Sequence, residues 1–426
     1  MSLRALDQIR PWQICFAAGV ISLWPLIQSS TDFAALFYFE DEWDLLNMWA
    51  QTDFPHWAGS AFAENFVPLF KLIWGGTIYW FKGGYFTLIV LLWLNHALNV
   101  VLLTSLMQRL GSGTIIAGLS GLMFGLSPLH LETLAWSVQW SAVMSLTCML
   151  SGLLLFTRYK TNSTSLPSWG QLGLLGLCSL ASPLCFSRGV LTGLVLAVAA
   201  FLCLGWRRWS VILSVILPAL TVAMLVVTRT EGNHHHFAGA GQAIAEFALY
   251  YFAQCPLRPL LSTETPALLG VLALATGKLV IFIIGWRVAP RPARPVLLAL
   301  ASFDVGNALL LGLGRHHTGL AAAVSSRYQY AALLALVPFL AVIAGQYYLR
   351  LPSVLRLPLT ALACAAILWQ ASSQWPSQIH EWSSWRGRDL RAALTLPPAQ
   401  APNNFARLPW MTNERTRELI VRYNLH

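Results

Sequence analysis

Four carboxylates crowd into the seven residues Tyr38-Phe39-Glu40-Asp41-Glu42-Trp43-Asp44, in a chain where 10% of residues are charged. Like charges repel, and each must stay solvated or be paired, so a stretch of this kind is not assembled for stability. It reads either as a solvated loop or as a place where one carboxylate takes up a proton from a substrate. The second reading gives the role of base to Asp41, with Glu42 next. Further on stand Glu64, the pair His130 and Glu132, Arg188, the run His234-His235-His236, Arg315 and Arg327. Guanidinium groups hold phosphate oxygens bidentately, so Arg315 and Arg327 fit an anionic, phosphate-bearing substrate. Read as plain structure, they are interfacial anchors at the ends of membrane spans.

The elements that must position these residues are membrane helices. The chain has 426 residues, 56% of them hydrophobic, and a mean hydropathy of +0.59. That composition makes the bilayer its solvent, and a crossing takes about 20 apolar residues. Eleven apolar runs predict an all-α polytopic membrane protein: 11–30, 86–106, 113–127, 138–157, 171–186, 189–205, 210–228, 267–286, 296–313, 328–348 and 359–372. Residues 1–10 lead into the first run with no small-residue cleavage site, which predicts a retained signal anchor. Seven scattered cysteines at 15, 148, 178, 185, 203, 255 and 364 match neither a metal spacing nor a disulfide framework and read as small core residues.

Charge orients the spans. With the N-terminus cytoplasmic, the inner connections hold Arg4, Arg10, Arg109, Arg158, Lys160, Arg207, Arg208, Arg287, Arg291, Arg294, Arg350 and Arg356, against the single acid Asp7. This is the bias of the positive-inside rule, and it places the C-terminus outside. The net charge of +10 is therefore mostly topology, and no motif of a nucleic-acid binder accompanies it. Within the spans, charge is confined to Lys278 and Asp304; Asp304 reads as a structural partner, and Lys278 as a group that snorkels or pairs.

The first outward loop, 31–85, is too long for a plain connection and carries Trp43, Trp49, Trp57, Trp74 and Trp80. Its apolar spacing predicts amphipathic helices lying in the interface. The chain thus divides into a transmembrane catalytic domain, 1–372, and an outward polar tail, 373–426, in which Thr412 to Tyr423 reads as one charged helix. Every other cluster of interest falls on the outer face, which points to chemistry there rather than to a path through the bilayer.

Several motifs carry a resemblance. Asp41-Glu42, shortly after the first span, resembles the acidic motif of the GT-C superfamily of integral-membrane glycosyltransferases, which use polyprenyl-phosphate sugar donors. Glu64-Asn65-Phe66-Val67-Pro68-Leu69 followed by Trp93-Leu94-Asn95-His96-Ala97-Leu98-Asn99 is similar to the branch of transmembrane O-mannosyltransferases and its bacterial relatives. So are Pro128-Leu129-His130-Leu131-Glu132-Thr133-Leu134-Ala135-Trp136, and Ser326-Arg327-Tyr328 with Gly314-Arg315. Phe186-Ser187-Arg188-Gly189-Val190 resembles a Ser-Lys-Glu motif, with Arg188 in place of the lysine and no following acid. The resemblance covers about residues 12–350.

The resemblance implies a first loop folded as interfacial helices over a cavity, a first-loop acid acting as base (Asp41, with Glu42 second), and donor phosphate held by later arginines. Substrate-binding positions implied are Glu64, His130, Glu132, Arg188, Arg315, Arg327 and Tyr328. Metal use divides the superfamily, and Asp41 with Glu132 is the pair that would hold Mg or Mn through hard oxygen ligands. The histidine run reads as a mobile loop near substrate rather than a transition-metal site, since consecutive residues rarely converge on one ion. Implied partners are a polyprenyl-phosphate sugar, a lipid- or protein-linked acceptor and membrane lipid, at a bacterial inner membrane with the site facing the periplasm. Two other classes compete. An oligosaccharide ligase or polymerase of the O-antigen type keeps its key residues in a late outward loop, and a transporter shows repeat symmetry. The acidic first loop favours the transferase over both.

Overall fold

The structure is a computed structural model and describes residues 10–62, 65–157, 168–204, 209–229, 240–257, 268–396 and 405–426. These residues form helices and connecting turns; among them no strand occurs, only an isolated bridge between Phe62 and Asn65. Seven helices are long and apolar enough to cross a membrane: Tyr85–Arg109, Ser137–Phe156, Ser187–Leu204, Leu268–Val288, Arg291–Thr318, Ser326–Tyr348 and Ser353–Thr395. An eighth forms if Thr114–Gly125 and Pro128–Leu134, bent by 44°, count as one span, and Trp169–Cys185 and Val211–Val227 are shorter apolar helices. Large apolar side chains stand exposed on several of them, among them Leu269, Leu362, Met224 and Val227. Lipid as solvent tolerates such a surface where water would not.

Two helices occupy special places. Ser326–Tyr348 is the hub, with 83% of its apolar window buried inside the protein, while only 6% is buried for Ser353–Thr395 at the periphery. The long helix Ser353–Ser383 runs without a break past residue 372, so the tail continues a membrane helix rather than starting afresh.

The first loop is helical. Asp41–Ala50, Phe54–Ala58 and Pro68–Trp80 follow one another, the latter two with proline in the first turn, where its missing N–H costs nothing. Lys71, fully buried, ties the third of these to the second: its Nζ donates to the carbonyls of Trp57 and Ser60, both at 3.0 Å, and to the Ser60 hydroxyl at 2.9 Å. Burial drops its ammonium to a pKa of about 8. Trp43, Trp57 and Trp74 are buried with Tyr38 and Tyr85 in one aromatic core, offset-packed or edge to face.

The tail packs back onto this loop. Its helix Asn413–Tyr423, capped by the Thr412 hydroxyl, sets Tyr423 against Trp49, and Arg415 Nε donates to Asn47 Oδ1 at 2.8 Å. The terminal backbone closes the contact, with Tyr85 N–H donating to the His426 carbonyl at 3.1 Å.

Candidate active site

Asp41 opens the helix Asp41–Ala50, and its neighbour Glu42 is one residue, about 100° of helix turn, further round. The two carboxylates therefore face different surroundings. Asp41 lines a cavity of about 380 Å³, within the range of small-molecule sites. Glu42 is fully buried on the other side, where it accepts from Phe39 N–H at 2.8 Å, from the Tyr85 hydroxyl at 3.2 Å and, closely, from the Ser137 hydroxyl. Burial raises its pKa to about 7, against the opposing charge of Arg386 and these hydrogen bonds. The positive end of the helix favours acids in its first turn, which suits Asp41, Glu42 and Asp44 together. Glu40, just before the helix, holds φ at +40°, a backbone setting that costs a non-glycine residue energy. Its carboxyl is also pushed up, first by burial and then by Asp41.

The same cavity brings together Arg188, Arg315, Arg327 and Tyr328 from three later segments, with Asn65 and Gln139 also on its wall. Arg188 sits in the short turn Ser187–Gly189 between two apolar helices. Gly189 permits that turn, because a Cβ there would run into the backbone of Ser182 and Pro183. The guanidinium lies 5.0 Å over the Phe186 ring and donates to Asn307 Oδ1 at 3.3 Å; Asn307 in turn bonds the Tyr251 hydroxyl. Arg315 ends the helix Arg294–Arg315, where the negative end of the helix favours a cation. Arg327 opens the next span, 5.3 Å over Tyr328 and 6.0 Å over Trp136.

Glu132 is a brace behind this wall and does not line the cavity. Its Oε2 accepts from the Ser325 hydroxyl at 2.8 Å and from Arg327 N–H at 3.0 Å, and its Oε1 lies 3.8 Å from Arg327 Nη1. Its own N–H donates to the Ser326 hydroxyl at 3.2 Å. His130 also lies away from the cavity wall. It is fully buried, with Nε2 2.9 Å from the Phe124 carbonyl oxygen and its ring against Tyr330 and His96. Glu64 and the histidines 234–236 lie outside the described residues.

Among the described residues, no three His, Cys, Asp or Glu side chains converge as metal ligands. Of the pair Asp41 and Glu132, Glu132 turns Oε2 to Ser325 and Arg327.

Two groups escaped the sequence reading. Gln139 carries no motif and reaches the cavity only because the turn Ser137–Gln139 starts a span there. Arg386 hides among seven tail arginines, its one signal being the neighbouring Trp382 and Trp385. Comparison with known protein families and with curated proteins finds no match to this chain.

Proposed function

We propose that this chain is a membrane glycosyltransferase of the GT-C type, with eleven crossings, that moves a sugar from a polyprenyl-phosphate donor to an acceptor hydroxyl. The observation that carries the reading is one cavity shared by Asp41 and three arginines, Arg188, Arg315 and Arg327, drawn from distant parts of the sequence. A carboxylate and a cluster of guanidinium groups on one cavity suit a reaction that needs a base and releases an anionic leaving group. The apolar residues Ala223, Val226, Leu310 and Leu311 on the same wall suit the lipid of the donor.

In this mechanism Asp41 accepts the proton of the acceptor hydroxyl as its oxygen attacks the anomeric carbon. The bond from that carbon to the phosphate oxygen breaks on the opposite face, and polyprenyl phosphate leaves with the electron pair, its charge held by the arginines. Direct displacement inverts the anomeric centre. The site faces the periplasm of a bacterial inner membrane, with the N-terminus inside and the C-terminus outside, a placement supported by the distribution of basic residues.

The test is to offer the purified protein a panel of polyprenyl-phosphate-linked hexoses and pentoses and follow sugar release. Asp41→Asn keeps the shape and loses the basicity, so turnover should fall by about 10²–10⁴ while polyprenyl phosphate still binds. Turnover within about threefold of wild type, at matched protein levels, would remove Asp41 as base.

A further inference from the structure

The helix Ser353–Ser383 ends in the π-turn Ser384–Arg388, and that turn drives Arg386 into the protein beneath the first loop. The side chain is 1% exposed. Its guanidinium lies 4.1 Å from the Phe39 ring, 4.7 Å from Trp382, 5.2 Å from Trp136 and 5.8 Å from Trp385. Nε and Nη2 find no hydrogen-bond partner among the described residues. A buried cation with idle donors costs stability, so its place in an aromatic box, within the field of Glu42, Glu132 and Glu40, asks for a reason.

The surroundings supply one. Gly387 has no side chain because the Ala35 carbonyl and the Leu36 backbone lie directly against it. Arg388 Nη1 bonds Asp32 Oδ1 at 2.9 Å, and Arg391 Nη2 donates to the Leu36 carbonyl at 3.2 Å while lying 4.8 Å over Phe37. The tail thus grips the backbone leading into the acids from Asp32 to Phe39. From the other side Glu42 holds Phe39 N–H. Between these two holds stands Glu40 with φ at +40°, and a setting of that kind persists only where its surroundings over-determine it.

We infer that Arg386 is a positioning residue: stacked beneath Phe39, it fixes the Phe39-Glu40-Asp41 turn and so keeps the Asp41 carboxylate in the cavity. This rests on the reading of Asp41 as the base. Arginine suits the place because a planar, weakly hydrated guanidinium stacks on several rings at once, which a lysine ammonium does not. The tail is then part of the working site rather than an appendage.

The test compares Arg386→Gln and Arg386→Lys with Arg388→Gln, which cuts the exposed ties to Asp32, His380 and Ser384 but leaves the Arg386 guanidinium among the rings in place. Hydrogen exchange of the segment 36–43 should speed up most in Arg386→Gln, less in Arg386→Lys, and least in Arg388→Gln, whose tie lies further back at Asp32. Sugar release should fall about 10–100-fold in Arg386→Gln, as expected for a displaced reacting group, while binding of polyprenyl phosphate holds within about threefold. Arg386→Lys should recover part of the rate. Unchanged exchange in both Arg386 variants, or the same loss of rate in Arg388→Gln, would overturn the inference. A wild-type protein that discharges no lipid-linked sugar would remove the transferase reading instead, and exchange alone would still decide the role of Arg386.

Discussion

Lys278 and Asp304 meet at 2.6 Å with both side chains fully buried, and Lys278 Nζ also donates to the carbonyls of Cys255 at 2.8 Å and Phe252 at 3.0 Å. The cavity wall handles charge differently. There Arg188, Arg315 and Arg327 stand against Asp41 as the one carboxylate among the described lining residues. The buried pair sets one cation against one anion. The wall gathers three guanidinium groups around one cavity, which on the proposed reading meet an anion arriving from outside. Asn307 sits three residues from Asp304 on one helix and holds Arg188, so the buried pair anchors the helix that presents the wall. The contrast separates structural charge from working charge, and each side of it can be broken.

The largest effect belongs to the buried pair. Lys278→Met leaves Asp304 without its cation, and breaking a buried pair in this way costs about 3–5 kcal/mol. Thermal unfolding in detergent should show a marked loss, with little folded protein recovered. Lys278→Met with Asp304→Leu removes both charges and should restore most of that loss. A single Lys278→Met variant as stable as wild type would place this pair outside the structural class.

Glu42 comes next, and it sharpens the line between neighbours in sequence. Its folded pKa of about 7 lies above its ordinary 4.5, so its contribution to stability is full below about pH 4.5 and is lost as pH rises through 7. The shift corresponds to roughly 3 kcal/mol. Glu42→Gln carries no proton equilibrium, so the gap in Tm between variant and wild type should move in favour of the variant from pH 5 to pH 8. Parallel curves over that window would mean that Glu42 does not titrate there.

Hydropathy made the helical membrane architecture legible, and the density of acids marked the first loop as the place to look. Asp304 was recognisable as a structural partner because a lone acid in a span must be answered by something nearby. The division of labour between Asp41 and Glu42 was not legible. Adjacent residues on a helix always point apart, but only the packing of Tyr85 and Ser137 decides which one is buried. His130 and Glu132 share a motif and still part company, one into an aromatic core and the other behind Arg327. Arg386 was hidden for a related reason. A tail arginine looks like solvated charge until a π-turn and a glycine contact carry it inward.

The smallest effect is the most discriminating, because it asks whether the wall arginines bind phosphate or merely anchor helices. Arg315→Lys and Arg327→Lys keep the charge and lose the planar fork. An interfacial anchor would work equally well as lysine, since either cation snorkels to the membrane surface. A phosphate ligand would not, and polyprenyl phosphate affinity should fall by about three- to tenfold for each. The two should differ. Lysine at 315 keeps the favourable interaction with the end of its helix, whereas lysine at 327 also gives up the stacking on Tyr328. Arg327→Lys should therefore be the weaker binder. Wild-type affinity in both would return these arginines to the structural side and leave Arg188 to hold the phosphate.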